Sequence, residues 1–416
     1  MARRCCVIGL GYIGLPTAAV LAAAGHEVLG VDIDPRVVDT VNRGAIHIVE
    51  PDLEQAVAAA VASGRLRAAT APEPADVFLI AVPTPFRPGP DGIPEADLDH
   101  VLAAARTITP QLRPGNLVLL ESTSPVGSTE RLAATIAAAA LDPPPGQPAN
   151  PQLRIEDLHI AYCPERVLPG RILRELIDND RVVGGLDPGA AEAGRAFYAS
   201  FCRGELLTTG ARTAELVKLT ENSFRDVNIA FANELSLVCD RLGIEVRELI
   251  RLANHHPRVN VLQPGCGVGG HCIAVDPWFI AAAAPDLTPL IQTARRVNDG
   301  KRRWVVEKVL EQAQQLQRSL GRPARVGCLG LAFKPDVDDL RESPALAITL
   351  DLVAEGLQVL ACEPNLQEHP SLRLHPLAQV LEQADLLVFL VAHTPFRGLP
   401  LGARPRIDVC GVTQAA

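Results

Sequence analysis

A short apolar strand, Arg4-Cys5-Cys6-Val7-Ile8, runs directly into Gly9-Leu10-Gly11-Tyr12-Ile13-Gly14, and a helical pattern covers 15–24. Glycine at these three offsets, between a strand and a helix, restricts the chain more than any other feature. The first glycine permits a tight turn, the second lets backbone approach a pyrophosphate, and the third allows close helix–strand packing. The helix N-terminus then presents N–H groups and partial positive charge to phosphates. The next strand, Glu27–Val31, ends in Asp32, where a carboxylate accepts ribose hydroxyls and repels a 2′-phosphate. A βαβ unit that binds NAD in preference to NADP is expected, with Arg36 nearby weakening that preference.

Further short apolar runs lie at 66–69, 77–82, 117–120 and 159–162, and helical patterns such as 98–108 and 128–140 separate them. Strands that alternate with helices predict an α/β unit with a mostly parallel sheet. The stretch 142–152, with five prolines, reads as a surface loop. From 213 to 242 there is no Gly or Pro, and Leu216, Leu219, Phe224, Val227, Phe231, Leu235, Val238 and Leu242 recur at helical spacing. A helix of about 30 residues suits a bridge between domains or a dimer seam. A second helical stretch covers 290–320, with Lys301 and Lys308 expected on a solvated face. Strands resume at 325–330, 357–362, 386–391 and 406–409, and the run 384–396 echoes 75–86 with one residue inserted. The expected α/β architecture is two Rossmann-like parallel-sheet domains, 1–209 and 321–416. A long central helix and a helical middle region, 210–320, would join them and carry the dimer contact.

Composition narrows the partners. The chain of 416 residues has 39 Lys and Arg against 48 Asp and Glu, a formal net charge of -9. A protein without excess positive charge cannot displace counterions from nucleic acid, so no nucleic-acid partner is expected. No stretch has the apolar length of a signal peptide core or a membrane span, which points to a cytoplasmic protein without membrane insertion. The ten cysteines form no CxxC pairs and no zinc-like spacing, so reduced thiols and no metal are expected.

The densest chemistry lies in Gly265-Cys266-Gly267-Val268-Gly269-Gly270-His271-Cys272-Ile273-Ala274-Val275-Asp276-Pro277. Its glycines let backbone lie against a ligand. If Cys272 starts a helix, the helix N-terminus favours its thiolate and Asp276 falls one turn along. A thiolate beside NAD allows covalent aldehyde oxidation through a thiohemiacetal and a thioester. A buried structural thiol at Cys272, or a metal held by Cys266, His271 and Cys272, are the alternatives. Lys218 and Asn222 lie one turn apart on the long helix. They would either face solvent or place an ammonium and an amide on one oxyanion. Thr123 and Glu165 fall at the carboxyl ends of strands, where ligands bind a parallel sheet.

Taken in order, segments 9–16, 82–85, 121–129, 164–170, 214–222, 265–277 and 331–343 resemble the UDP-glucose/GDP-mannose dehydrogenase family, the NAD-dependent nucleotide-sugar 6-dehydrogenases, over essentially the whole chain. The resemblance implies an N-terminal NAD domain, a dimerising central helix and a C-terminal domain for UDP. It also implies four-electron oxidation of a sugar C6 alcohol to a carboxylate. On matching positions it implies Cys272 as nucleophile, Lys218 and Asn222 as oxyanion stabilisers, and Thr123, Glu165 and Asp276 as water-positioning or proton-relaying groups. Around NAD it implies Gly9, Gly11, Tyr12, Ile13, Gly14, Asp32, Arg36, Pro83, Thr84 and Thr123. Around the nucleotide sugar it implies Arg166, Lys218, Asn222, Arg258, Asn260, Gly269, Lys334 and Arg341, with Arg258 reaching across a homodimer interface. Lys334 and Arg341 would serve the phosphates and the closed domain arrangement. UDP-glucose members carry Lys where this chain has Val275 and a small residue where it has His271. With the runs 42–51, 219–228 and 269–279, this points to a branch that acts on UDP-acetamido sugars. A single-step β-hydroxyacid dehydrogenase, which needs no cysteine, and a non-catalytic NAD-sensing protein are the competing readings.

Overall fold

Apolar runs without polar alternation are what a sheet covered on both faces requires. The computed structural model describes residues 2–89, 92–270 and 272–413. It contains such a sheet in the first of two compact units, Met1–Thr220. In chain order this unit has β1 (Arg4–Ile8), α1 (Gly14–Ala23), β2 (Glu27–Val31), α2 (Pro35–Asn42), α3 (Leu53–Ala62), β3 (Leu66–Ala69) and β4 (Val77–Ile80). A small hairpin, β5 (Phe86–Arg87) and β6 (Glu95–Ala96), precedes α4 (Asp99–Ile108), β7 (Leu117–Leu120), α5 (Ser128–Leu141) and β8 (His159–Tyr162). Then come α6 (Ile172–Asp178), β9 (Arg181–Gly185), α7 (Pro188–Tyr198), β10 (Leu206–Gly210) and the start of α8 (Ala211–Leu242).

The large sheet runs β10-β9-β8-β7-β4-β1-β2-β3. Its pairs are parallel except β8 with β9. Strand alternation divides the side chains between two layers. Cys5, Val7, Val77 and Leu79 pack with α1, α3 and α7 through Leu15, Val57 and Phe197. Cys6, Ile8, Phe78 and Ile80 pack with α4 and α5 through Val101 and Ile136. The order reverses at β1, whose neighbours are β4 and β2, and ligands bind a doubly wound sheet at such a point.

The second unit, Glu221–Ala416, holds the remainder of α8 with α9 (Val246–Ala253), α10 (Asp276–Ala283) and α11 (Pro289–Leu320). It continues with β11 (Arg325–Leu329), α12 (Pro344–Ala354), β12 (Gln358–Cys362), α13 (Leu377–Gln383), β13 (Leu386–Phe389) and β14 (Arg406–Asp408). Its sheet, β12-β11-β13-β14, is parallel throughout. The sequence echo is a structural repeat: β11 stands between β12 and β13 as β1 stands between β2 and β4 in the first sheet. At the end of β1, Gly9 adopts φ +91°, and a Cβ there would lie 2.7 Å from the Ala81 carbonyl oxygen. At the end of β11, Gly330 adopts φ +91°, and a Cβ would lie 2.5 Å from Val391 Cβ. The Leu10 N–H donates to Asp32 after β2, and the Leu331 N–H donates to Glu363 after β12.

The solvated face expected for Lys301 is wrong. Lys301 is 2% exposed, its Nζ donates to Ser236 Oγ at 2.6 Å and lies 3.7 Å from the Trp304 ring centre. Lys308, half-exposed, pairs with Asp240 at 2.7 Å. The polar face of α11 meets a polar face of α8 instead of water. Arg295 donates to Asp226 at 2.7 Å, Asn298 donates to the same carboxylate at 2.8 Å, and Asn233 donates to Asn298 at 2.9 Å. Burial lowers Lys301 to about 7. The other side of α8 leaves Phe224 68% and Phe231 53% exposed, with Val238 and Leu242 also open to solvent. No helix among the described residues is long and apolar enough to cross a membrane.

Candidate active site

The glycine loop has the geometry its spacing predicts. A Cβ on Gly14 would lie 1.8 Å from the Gly9 carbonyl oxygen, so α1 packs too close for any side chain there. A Cβ on Gly11 would meet nothing within 4 Å, which leaves that backbone open toward a ligand. Asp32 accepts from Leu10 N–H at 3.0 Å and from Asp34 N–H at 3.0 Å, one bond on each oxygen. A carboxylate has about four lone-pair positions, so capacity for ribose hydroxyls remains. The Arg36 guanidinium pairs with Asp34 at 2.8 Å and is otherwise exposed to solvent. Tyr12 and Ile13 form the turn into α1. The neighbouring strand ends are tied together. Thr84 Oγ1 donates to the Thr123 carbonyl at 2.6 Å, and Ser122 Oγ donates to the Val82 carbonyl, just before Pro83, at 2.7 Å.

Glu165 follows β8 and is buried. Its Oε1 accepts the Arg166 N–H at 2.7 Å, its Oε2 accepts from Arg181 at 3.3 Å, and its carbonyl accepts Lys218 Nζ at 2.5 Å. The solvent-facing alternative for Lys218 is thereby excluded. The Arg166 guanidinium reaches the Asp180 carbonyl. Glu215, one turn before Lys218 on α8, accepts from Gly127 N–H at 2.6 Å, Thr129 N–H at 2.7 Å and Thr129 Oγ1 at 2.6 Å. It caps α5 from outside the helix and so fixes the segment that carries Thr123.

In the second unit, Cys272 is half-buried and opens a turn, not the helix that was expected. Its carbonyl accepts from Val275 N–H at 2.9 Å and Asp276 N–H at 2.8 Å, and α10 begins at Asp276. Pro277 explains the boundary, because proline suits the first turn of a helix but not its interior. Asp276 is 1% exposed and its Oδ2 accepts from Asn222 Nδ2 at 2.6 Å, so two residues far apart in sequence meet beside the cysteine turn. The glycines upstream admit another segment. A Cβ on Gly269 would lie 2.5 Å from the Glu342 carbonyl, one on Gly270 would lie 2.9 Å from the Phe333 ring, and Gly270 N–H donates to the Arg341 carbonyl at 3.1 Å. The segment bearing Lys334 and Arg341 therefore packs directly on the cysteine loop, with the Arg341 guanidinium on Asp339 at 2.6 Å. Asn233, in the α8–α11 ladder, accepts the Gly265 N–H at 2.9 Å and holds the loop's other end. Arg258 and Asn260 lie exposed after α9.

Cys266 points away from this turn: its thiol lies 3.6 Å from the Leu390 carbonyl, and burial pushes it up to about 12. Among the described residues no group of three or more His, Cys, Asp and Glu side chains is placed to hold a metal ion. His271, read above as a possible ligand and as a mark of the acetamido-sugar branch, lies outside the described residues. Sequence reasoning missed Arg181, Tyr198, Glu121 and Glu215. Glu121 and Glu215 stood inside quoted segments, 121–129 and 214–222, a signal that could have drawn notice.

Residues 3–202 match the model of the UDP-glucose/GDP-mannose dehydrogenase family NAD binding domain, 212–300 its central domain and 327–413 its UDP binding domain. The chain is 54% identical over 403 residues to UDP-N-acetyl-D-mannosamine dehydrogenase of Yersinia pestis, covering 94% of each. It is 52% identical over 421 residues to NDP-N-acetyl-D-galactosaminuronic acid dehydrogenase of Ralstonia nicotianae, covering 99% of this chain and 97% of that one. Among solved structures, the UDP-N-acetyl-mannosamine dehydrogenase of S. aureus matches with a TM-score of 0.86 at 39% identity, covering 99% of this chain and 96% of that one.

Proposed function

The chain belongs to the UDP-glucose/GDP-mannose dehydrogenase family and is an NAD-dependent nucleotide-sugar dehydrogenase; from that premise we propose that it oxidises the C6 alcohol of UDP-N-acetyl-D-mannosamine to the uronate in two steps through Cys272. The observation that carries the chemistry is the buried Asp276–Asn222 pair one turn from that cysteine. NAD, held by Gly9, Gly11, Gly14, Asp32 and the Thr84–Thr123 edge, supplies the hydride acceptor for each oxidation. In the first step the alcohol gives up a hydride and a proton and becomes an aldehyde. The Cys272 thiolate adds to that carbon, and Lys218 and Asn222 donate to the oxyanion that forms. The thiohemiacetal loses a second hydride and a proton to become a thioester. Thr123, Glu165 and Asp276 then position a water and take its proton, the C–S bond breaks, and the carboxylate leaves with the thiol restored.

Lys334 and Arg341 serve the phosphates in this reading, and Arg166, Asn260 and Gly269 the sugar. The exposed Phe224, Phe231 and Val238 recur every seven residues on α8, which supports a homodimer seam, with Arg258 reaching the partner's substrate. None of the ten cysteines is in a disulfide, which supports a place in the reducing cytoplasm, where the product would supply an aminouronic acid for a surface polysaccharide. The Ralstonia relative, equally similar over the full length, favours a second reading with an N-acetylgalactosamine nucleotide.

A panel of UDP-N-acetylmannosamine, UDP-N-acetylgalactosamine, UDP-N-acetylglucosamine and UDP-glucose decides the substrate by kcat/KM. Two NADH per sugar are expected, and Cys272→Ala yields no acid. One NADH per sugar with release of free aldehyde overturns the mechanism, and a preference for the galactosamine nucleotide replaces the first substrate with the second.

A further inference from the structure

Behind Glu165 lies a set of buried groups to which the reaction above gives no task. Arg181, at the start of β9, donates to Glu165 Oε2 at 3.3 Å and to the Leu176 carbonyl at 3.1 Å, and its Nη1 lies 3.8 Å from Cys163 Sγ. Its guanidinium carbon stands 4.8 Å from the Tyr198 ring centre and 5.7 Å from that of Phe201. The Tyr198 hydroxyl donates to Glu121 Oε1 at 2.7 Å, while Glu121 Oε2 is buried without a hydrogen-bond partner. The guanidinium bonds the Glu165 carboxylate through one N–H, without the bidentate fork that gives Arg–carboxylate pairs their strength, and Glu121 is held beside it by Tyr198.

A fold gains little from such an arrangement. Desolvation of buried charges offsets most of their attraction, and an orphaned carboxylate oxygen is a further cost. Perturbed buried groups of this kind gather where chemistry needs them. Here they converge on one side chain. Glu165 is held at Oε1 by its neighbour's N–H, at Oε2 by Arg181 and at its carbonyl by Lys218.

We propose that Arg181 is the positioning residue of Glu165, fixing its carboxylate in one orientation, and that Glu121, held by Tyr198, is a second carboxylate whose charge acts on the same guanidinium. The proposal rests on the reading of Glu165 as a water-positioning or proton-relaying group. The titratable groups facing Glu121 are Arg181 from β9, Tyr198 from α7, and Cys163 and Glu165 from the segment after β8. Burial, opposed by Arg181 and reinforced by the charge of Glu165, pushes Glu121 up to about 7. As pH rises through that value Glu121 becomes charged and attracts Arg181, which loosens the guanidinium's hold on the Glu165 carboxylate. Turnover that depends on that hold therefore falls through an inflection near neutrality that belongs to Glu121.

The test compares kcat, both KM values and pH profiles for Arg181→Gln, Arg181→Lys, Glu121→Gln and Glu165→Gln in the full-length protein, with folding checked by circular dichroism. Arg181→Gln is expected to lower kcat by about 10²-fold, the cost of a misplaced catalytic group, with KM for NAD within about threefold of wild type. Arg181→Lys should recover part of that loss, and Glu121→Gln should flatten the profile through pH 7 whatever its plateau. Full turnover in Arg181→Gln while Glu165→Gln is inactive overturns the proposal and leaves the role of Glu165 standing. Full turnover in Glu165→Gln overturns that role itself. If Arg181→Gln fails to fold, the Glu121→Gln profile decides, and an unchanged inflection overturns the proposal.

Discussion

Replacing Lys301 with methionine separates the effect of a buried ammonium from everything else that titrates. Burial places the Lys301 ammonium at about 7, against an ordinary value of 10.5. Asp240 and Cys266 hold it up in part, while the Arg247 charge lowers it further. The unfolded chain binds this proton up to pH 10.5 and the native chain only up to about 7, so native stability rises with pH across that window. The slope approaches about 1.4 kcal/mol per pH unit once the native ammonium has lost its proton, which amounts to about 2 kcal/mol between pH 7 and pH 9. Methionine fills similar volume and carries no charge, so Lys301→Met lacks that slope while every other titration is shared. Ser236 keeps a partner in the variant, because its hydroxyl also donates to the Asn233 carbonyl at 2.5 Å. Urea unfolding of both proteins at pH 7, 8 and 9, followed by circular dichroism, measures the difference directly. The stability of the variant relative to wild type is expected to fall by about 2 kcal/mol across the series, or roughly 4–8 °C in Tm for a unit of this size. A difference that stays constant with pH would refute burial as the cause, whatever the sign of the constant.

Gly14→Ala places a methyl group where the Gly9 carbonyl oxygen lies 1.8 Å away; α1 or the loop must move by more than 1 Å, and kcat/KM for NAD should fall by about 10²-fold or more, with NADH fluorescence titration as the check. Phe231→Glu puts a charge in the exposed stripe of α8 and should convert the proposed dimer to a monomer by light scattering; a dimer that survives the change would place the seam elsewhere. Glu215→Ala orphans the Gly127 and Thr129 amides, and about 2–4 kcal/mol of stability should be lost in urea titration.

Local spacing reveals some things and hides others. The roles of Gly9, Gly11 and Gly14 depend on a single turn of chain, so their positions suffice to predict their packing. The strand ends that carry Thr84, Thr123 and Glu165 were legible for the same reason: apolar runs end where polar residues begin. β9 and β10 were not. Arg181 opens one, glycines close both, and β10 is an edge strand whose Thr208 and Thr209 give it no apolar signature. With β9 unseen, the Arg181–Glu165 pair could not be anticipated. Nor could the meeting of Asn222 with Asp276, since only the packing of α8 with the cysteine turn brings them together. Lys301 was misplaced because a polar helix face states nothing about what covers it. Helical periodicity describes one helix, and α8 presents a polar face of its own to that surface.

The two structural repeats differ at their acidic residues. Asp32 carries one hydrogen bond on each oxygen. Glu363 Oε2 accepts from Leu331 N–H, Ala332 N–H and His393 Nε2, and its Oε1 accepts from the Asn365 N–H and side-chain amide. That fills a carboxylate's lone pairs, so no ribose finds an acceptor there. The later repeat spends its acid on its own loop, so it does not offer the ribose acceptor that Asp32 offers, and the proposed reaction has its NAD at the first repeat. A reaction that consumes two must exchange a spent cofactor for a fresh one midway, with its substrate at the aldehyde level. In the proposed mechanism the bond to Cys272 then has a purpose beyond electronics: it is a mooring that keeps a reactive intermediate on the protein during the exchange.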